Sequence, residues 1–179
     1  PNSNSLLVFR SNNLPLIDEL ISERLTGQVV EVHVNEAMQR GIDMEPVAVE
    51  AYQEHTGNQV HDIGFVTNTD LPSCGLSPDG FVGSDSAVEF KCPSSKKHIE
   101  YIRTGKVPND YKYQIFMYFL INPDLKTVDF VSFDPRVTIK PIHIVTVKRE
   151  DIQADLIATA EGLDKFLQKL NKYYDQITF

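Results

Sequence analysis

Within GLSPDGFVGSDSAVEFKCP, residues 75–93, three side chains are of the types that hydrolyse phosphodiesters around a divalent cation: Asp79, Glu89 and Lys91. Two carboxylates offer the hard oxygens that Mg²⁺ takes, and the ion keeps waters in its octahedron for substrate and nucleophile. Such an ion lowers the pKa of a bound water and polarises a phosphoryl oxygen. A lysine beside it positions the water and offsets charge developing on the phosphate. The competing reading is a plain turn at Ser77-Pro78-Asp79-Gly80, in which Pro presets φ, Asp bonds its own backbone and Gly tolerates positive φ. Glu89 and Lys91 would then be a surface pair.

Alternation along the strand decides whether the three can meet. In SAVEFK, Val88 and Phe90 share one face while Glu89 and Lys91 share the other. A three-residue loop Ser84-Asp85-Ser86 pairs Gly83 with Ala87, Phe81 with Glu89 and Asp79 with Lys91, placing Asp79 on the Glu89 face. A one-residue change of register turns it away.

Glu45 is a further candidate. Its helical neighbours at three and four residues are Gly41, Ile42, Ala48 and Val49, a small apolar stripe on which a carboxylate needs a partner; a cation would serve. The alternative is that Pro46 starts a new helix and Glu45 sits at its mouth. A second metal about 4 Å from the first would take Glu45 as its acid. The segment NDYKYQIFMYFLI is apolar on nearly every side except along Asp110, Gln114 and Tyr118, with Tyr111 beside them. That polar line is either a buried hydrogen-bond network or the wall of a polar cleft.

The elements that must position these groups alternate as in one α/β unit. PLIDELISERLTG predicts a helix opened by Pro15 and closed by Gly27. Residues 35–56 predict another, kinked or restarted at Pro46. VHDIGFVT, a stretch near Cys74–Leu76, GFVG and SAVEFK predict a meander, with KTVDFVSFD and IHIVTVK as later strands. Helices over 94–104, 109–121 and 151–173 complete the set. With 179 residues and no repeat, the chain reads as one domain with a single core.

Two cysteines, Cys74 and Cys92, exclude a disulfide scaffold and a four-cysteine zinc or iron-sulfur site within one chain. No apolar run approaches the roughly 18 residues of a membrane span, and PNSNSLLVFR lacks the features of a secretory signal, so a soluble cytosolic protein is expected. The net charge of −8 argues against a polyanion partner, yet residues 91–112 hold Lys91, Lys96, Lys97, Arg103, Lys106 and Lys112, with His98, against Glu100 and Asp110. This is a basic stripe in an acidic chain.

Pro78-Asp79 followed by Glu89-Phe90-Lys91 resembles the PD-(D/E)XK nuclease pattern, and QIFMY resembles the Gln-x-x-x-Tyr motif of its exonuclease branch. With AMQRGIDMEPVAVEAYQEHTG, LSPDGFVG, VEFKCP and YKYQIFMY in order over about residues 35–120, the chain is similar to the lambda-exonuclease-type viral recombinases. The resemblance implies a restriction-endonuclease-like α/β (α+β) core, a central mixed sheet flanked by helices, with residues 1–179 as a single nuclease domain. It implies a Mg²⁺-dependent exonuclease, with Mn²⁺ as a substitute and one or two ions, degrading one strand of linear double-stranded DNA in the 5′-to-3′ direction. Asp79, Glu89, the Phe90 carbonyl and Glu45 would be the metal ligands. Lys91 would be catalytic, and Gln114 would help position the site. Lys96, Lys97, Lys112 and Tyr118 would contact DNA.

The resemblance also implies a ring-shaped homotrimer acting on DNA ends, a single-strand annealing partner, no membrane, and the interior of a bacterial or infected host cell. Relatives carry an Arg and a later Ser ahead of the first helix that receive the 5′-phosphate; here only Arg10 and Ser11 stand near that place. Two alternatives remain: an endonuclease or repair nuclease of the same superfamily without an end requirement, and a catalytically inactive DNA-binding module.

Overall fold

The computed structural model describes residues 13–29 and 34–178. The described residues divide into two compact units, residues 34–153 and a unit made from residues 13–29 with 154–178.

The second of these is built on two helices. In α1 (Leu14–Thr26), the Asn13 side chain accepts the Leu16 N–H at 3.3 Å, Pro15 occupies a turn that needs no donor, and Gly27 closes the helix at φ 67. Leu16, Ile17 and Ile21 pack with Phe166 and Leu170 of α5 (Gln153–Thr178), each buried aliphatic contributing roughly 1.5–3 kcal/mol. A single 3-10 turn, Arg149–Ile152, precedes α5, so that helix starts two residues later than its pattern predicts and runs on to Thr178.

Residues 34–153 form a mixed α/β layer structure. Five strands lie in the order β1 (Val60–His61), β4 (Gly80–Val82), β5 (Ser86–Lys91), β6 (Thr127–Phe133) and β7 (Ile142–Lys148). Only β5 and β6 are parallel, because the chain between them crosses over through α3 (Ser95–Thr104) and α4 (Asn109–Ile121). Val88, Phe90, Val131 and Phe133 pack on Ala48 and Tyr52 of α2 (Glu36–Thr56). On the opposite face Phe130 meets Tyr101 of α3 and Tyr111 of α4. With both faces covered, β5 and β6 carry nearly continuous buried runs.

Three expectations change. VHDIGFVT is not one strand: β1 pairs with β4, while β2 (Val66–Asn68) pairs with β3 (Leu71–Leu76) in a separate two-stranded sheet. Four residues around Gly64 interrupt it, and alternation could not reveal that its two ends find different partners. Pro46 does not restart the helix, since α2 runs through it, with Asn35 capping one end and Gly57 at φ 75 the other. In the β4–β5 hairpin the loop is Gly83-Ser84-Asp85, pairing Gly80 with Val88, Phe81 with Ala87 and Val82 with Ser86. Gly83, at φ 62, takes the left-handed loop position that its missing Cβ permits and so leaves the ladder. The register thus moves by two residues, which preserves facing, and Asp79 still comes to the Glu89 side.

Among the described residues no helix is long and apolar enough to cross a membrane.

Candidate active site

Glu89 is the centre of the arrangement. It is fully buried in mid-sheet, and both its oxygens are engaged. Oε1 receives the Lys91 ammonium and, at 2.6 Å, the Gln114 amide; Oε2 accepts the Tyr118 hydroxyl at 2.5 Å. The polar line along α4 is therefore a buried hydrogen-bond network at its inner members. Its inner members, Gln114 and Tyr118, satisfy a buried carboxylate, while Tyr111 stands with its ring centroid 5.1 Å from the Lys91 nitrogen, within cation–π reach. Asp110 is exposed and joins neither.

Asp79 reaches the same place from the turn before β4. Its Oδ2 accepts the Phe90 N–H at 2.7 Å, and its own N–H donates to the Tyr118 hydroxyl at 3.2 Å. The turn chemistry of Ser77-Pro78-Asp79-Gly80 and the site are thus compatible, one side chain clamping the β5 backbone between Glu89 and Lys91. Burial, then the charge of Glu89, pushes the Asp79 carboxyl up to about 7, against the opposing pull of Lys91 and the Phe90 N–H. For Lys91, burial favours the neutral amine, but Glu89 and Asp79 outweigh it and hold the pKa above the ordinary lysine value. Lys91 is a cation here.

Glu45 is half-buried rather than buried on α2. Burial and then Glu89 raise its pKa, so it lies within the field of the same centre. Among the described residues no three His, Cys, Asp or Glu side chains are grouped closely enough to hold a metal by themselves. Asp79 and Glu89 nonetheless fit a Mg²⁺ ion, which binds through one or two carboxylates and completes its shell with water. Two buried acids, one of them raised by the charge of the other, share a single lysine and are short of positive charge.

The DNA-facing candidates separate. Lys96 and Lys97 lie exposed in the first turn of α3, just after Lys91 in the chain; Lys112 lies half-buried on α4, its ammonium 5.1 Å from the Phe116 ring centroid. Tyr118 is not a surface contact: it is 0% exposed and its hydroxyl is committed to Glu89. His98 also leaves the basic stripe, held inside between the Ser132 hydroxyl at 2.7 Å and the Lys140 carbonyl at 2.9 Å. Arg10 and Ser11 lie outside the described residues. Cysteine chemistry is disfavoured, since burial pushes the Cys92 thiol up to about 11 and raises that of Cys74.

Residues with no local sequence signal hold the supports in place. Arg40 of α2 donates to the Cys92 carbonyl at 2.8 Å, where β5 ends, and to Asp134 at 3.2 Å. Asp134 is fully buried and also takes Arg136 at 2.8 and 2.9 Å and Ser95 at 2.6 Å, bonds that hold its carboxyl well below the usual range. Arg149 closes α4, which lacks a C-terminal glycine, by donating to the carbonyls of Phe119, Asn122 and Leu125 at 2.6–2.9 Å. Apart from Arg136, which lies two residues from Asp134, these partners lie far apart in sequence, so spacing could not disclose them.

Tyr118→Phe is expected to lower stability by about 1–3 kcal/mol, because it strands one oxygen of a buried carboxylate. A chemical denaturation midpoint equal to wild type would show that the hydroxyl does not support Glu89.

A family model described as the YqaJ-like viral recombinase domain matches residues 9–122. Among solved structures, an alkaline exonuclease from Laribacter hongkongensis, LHK-Exo, is 31% identical with a TM-score of 0.88, over 98% of this chain and 89% of its own. LHK-Exo in complex with dAMP gives 31% and 0.86 over the same shares. A phage related exonuclease from Haemophilus somnus 129PT, 16% identical with a TM-score of 0.61 over 98% of this chain and 93% of its own, shares the fold. No curated protein matches.

Proposed function

The chain belongs to the YqaJ-like viral recombinase family, and from that premise we propose that it is a Mg²⁺-dependent exonuclease that hydrolyses one strand of linear double-stranded DNA from its 5′ end. The observation that carries this reading is the meeting of Asp79, Glu89 and Lys91 on one face of the sheet, with Gln114 bonded to the same Glu89 oxygen as Lys91. The likeness to an alkaline exonuclease, one of whose structures holds a nucleoside monophosphate, supports release of mononucleotides.

Asp79, Glu89 and the Phe90 carbonyl would hold the ion, with Glu45 as the acid for a second. When bound, Mg²⁺ (or Mn²⁺) supplies an acidified water and polarises the phosphoryl oxygen. Lys91, kept protonated by the two acids, orients the attacking water and faces the charge that grows on the phosphate. Gln114 and Tyr118 fix the Glu89 carboxylate so that its oxygens do not turn away when Lys91 engages the substrate. Lys96, Lys97 and Lys112 are proposed to meet the DNA backbone, so the affinity should fall as salt rises. Residues 1–179 are read as one nuclease domain. A homotrimer on DNA ends, a single-strand annealing partner and the interior of a bacterial or infected host cell complete the proposal.

A 5′-phosphorylated linear duplex and a closed circle, each incubated with Mg²⁺ or with chelator, test it. Mononucleotides from the linear substrate alone, and only with metal, are expected. Cutting of the circle would favour an endonuclease, and an intact linear duplex would favour a binding module.

A further inference from the structure

The loop joining β1 to β2 carries a ring that the core does not use. Phe65 is 70% exposed and Ile63, two residues before it, 43%. An aromatic this open is not explained by packing, yet it is not loose. The ring lies across Gly75 of β3, where a Cβ would collide with its far edge. Gly75 pairs with Thr67 across the hairpin, while Leu76 beside it is buried, so the ring rests on the outer, solvent side of the small sheet.

Chain connectivity keeps the seat of that ring within a bounded distance of the acid centre. Gly75 precedes Asp79 by four residues, so their Cα atoms are no more than about 14 Å apart, a few nucleotide steps at roughly 3.4 Å each. The charge of the surroundings then selects what part of a nucleic acid the loop accepts. Between Asn58 and Cys74 the chain contains no Lys or Arg, while Asp62 and Asp70 are acidic. The loop itself offers a phosphate no cation. A base, neutral and flat, needs none, and stacking on an aromatic side chain is how proteins hold bases without reading sequence.

We propose that Phe65 is a stacking platform for a nucleobase of the strand being hydrolysed, kept in place by the missing side chain of Gly75. This rests on the nuclease reading of the neighbouring acids. It gives the site a grip on an unpaired base close to the scissile phosphate, independent of the metal and of the lysines.

The chain contains no Trp, so Phe65→Trp introduces a single fluorescent reporter. With Ca²⁺ in place of Mg²⁺, titration of the Phe65→Trp chain with duplex bearing a short single-stranded end is expected to quench its emission. With Mg²⁺, Phe65→Leu, which keeps an apolar contact on Gly75 but has no ring, is expected to raise KM roughly tenfold or more with kcat within about threefold. Gly75→Ala, which displaces the ring, should do the same. An abasic terminal nucleotide should impose that loss on wild type and add nothing to Phe65→Leu, because ring and base make one contact. Unquenched emission with an unchanged KM would overturn the proposal. So would a changed sedimentation coefficient in Phe65→Leu, which would assign the ring to a contact between copies. Wild type that hydrolyses no linear duplex would instead remove the nuclease reading itself.

Discussion

Lys91→Ala is expected to slow single-turnover hydrolysis of a linear duplex by roughly 10²–10³ or more, the scale of losing one preorganised electrostatic donor. The same change leaves Glu89 buried with only the neutral donors Gln114 and Tyr118, and removing one partner of a buried pair costs about 3–5 kcal/mol. Activity and stability must therefore be separated. Lys91→Arg retains the cation but not the compact ammonium, so it is expected to recover most of the stability and little of the rate. Rapid-quench assays of both variants, beside their denaturation midpoints, check this. An Ala variant that hydrolyses DNA at the wild-type rate would remove Lys91 from the chemistry.

Asp79→Asn is expected to abolish hydrolysis and yet stabilise the metal-free chain above pH 7. Burial, then Glu89, raises this carboxyl from its ordinary 3.8 to about 7 in the folded chain. The folded state consequently keeps a proton that the unfolded chain has already released, and wild-type stability falls as pH rises from about 4 to about 7. At 1.36 kcal/mol per pH unit the accumulated cost is on the order of 2–4 kcal/mol. Asn carries no such charge and still offers an oxygen to the Phe90 N–H. The variant's advantage should vanish near pH 4, and Mg²⁺ should reverse it by stabilising wild type through binding to the folded state alone. Urea midpoints at pH 4, 6 and 8, with chelator and with Mg²⁺, measure the effect. Parallel pH profiles for the two chains would contradict the charge shortage inferred at the site.

Much of this centre was legible because β5 is regular. Alternation in SAVEFK put Glu89 and Lys91 on one face, and a two-residue slip in the hairpin left Asp79 there, since facing depends only on parity. Four-residue spacing likewise found Gln114 and Tyr118 on one side of α4, although whether Tyr118 faced DNA or the interior was beyond periodicity. The split of residues 60–68 between two sheets was illegible, as a short apolar run does not name its partner strand. Arg40, Asp134 and Arg149 were missed for a related reason: each supports the site through bonds spanning dozens of residues, made only once the layers have packed. The family resemblance, by contrast, drew on local motifs that folding does not alter.

The most direct measurement is an anomalous difference map from crystals grown with Mn²⁺ and a blunt duplex end. An ion shared by positions 79 and 89 requires a peak within bonding distance of both carboxylates and the Phe90 carbonyl. Manganese bound elsewhere, or bound to one acid while the other stays turned to its protein partners, would contradict it.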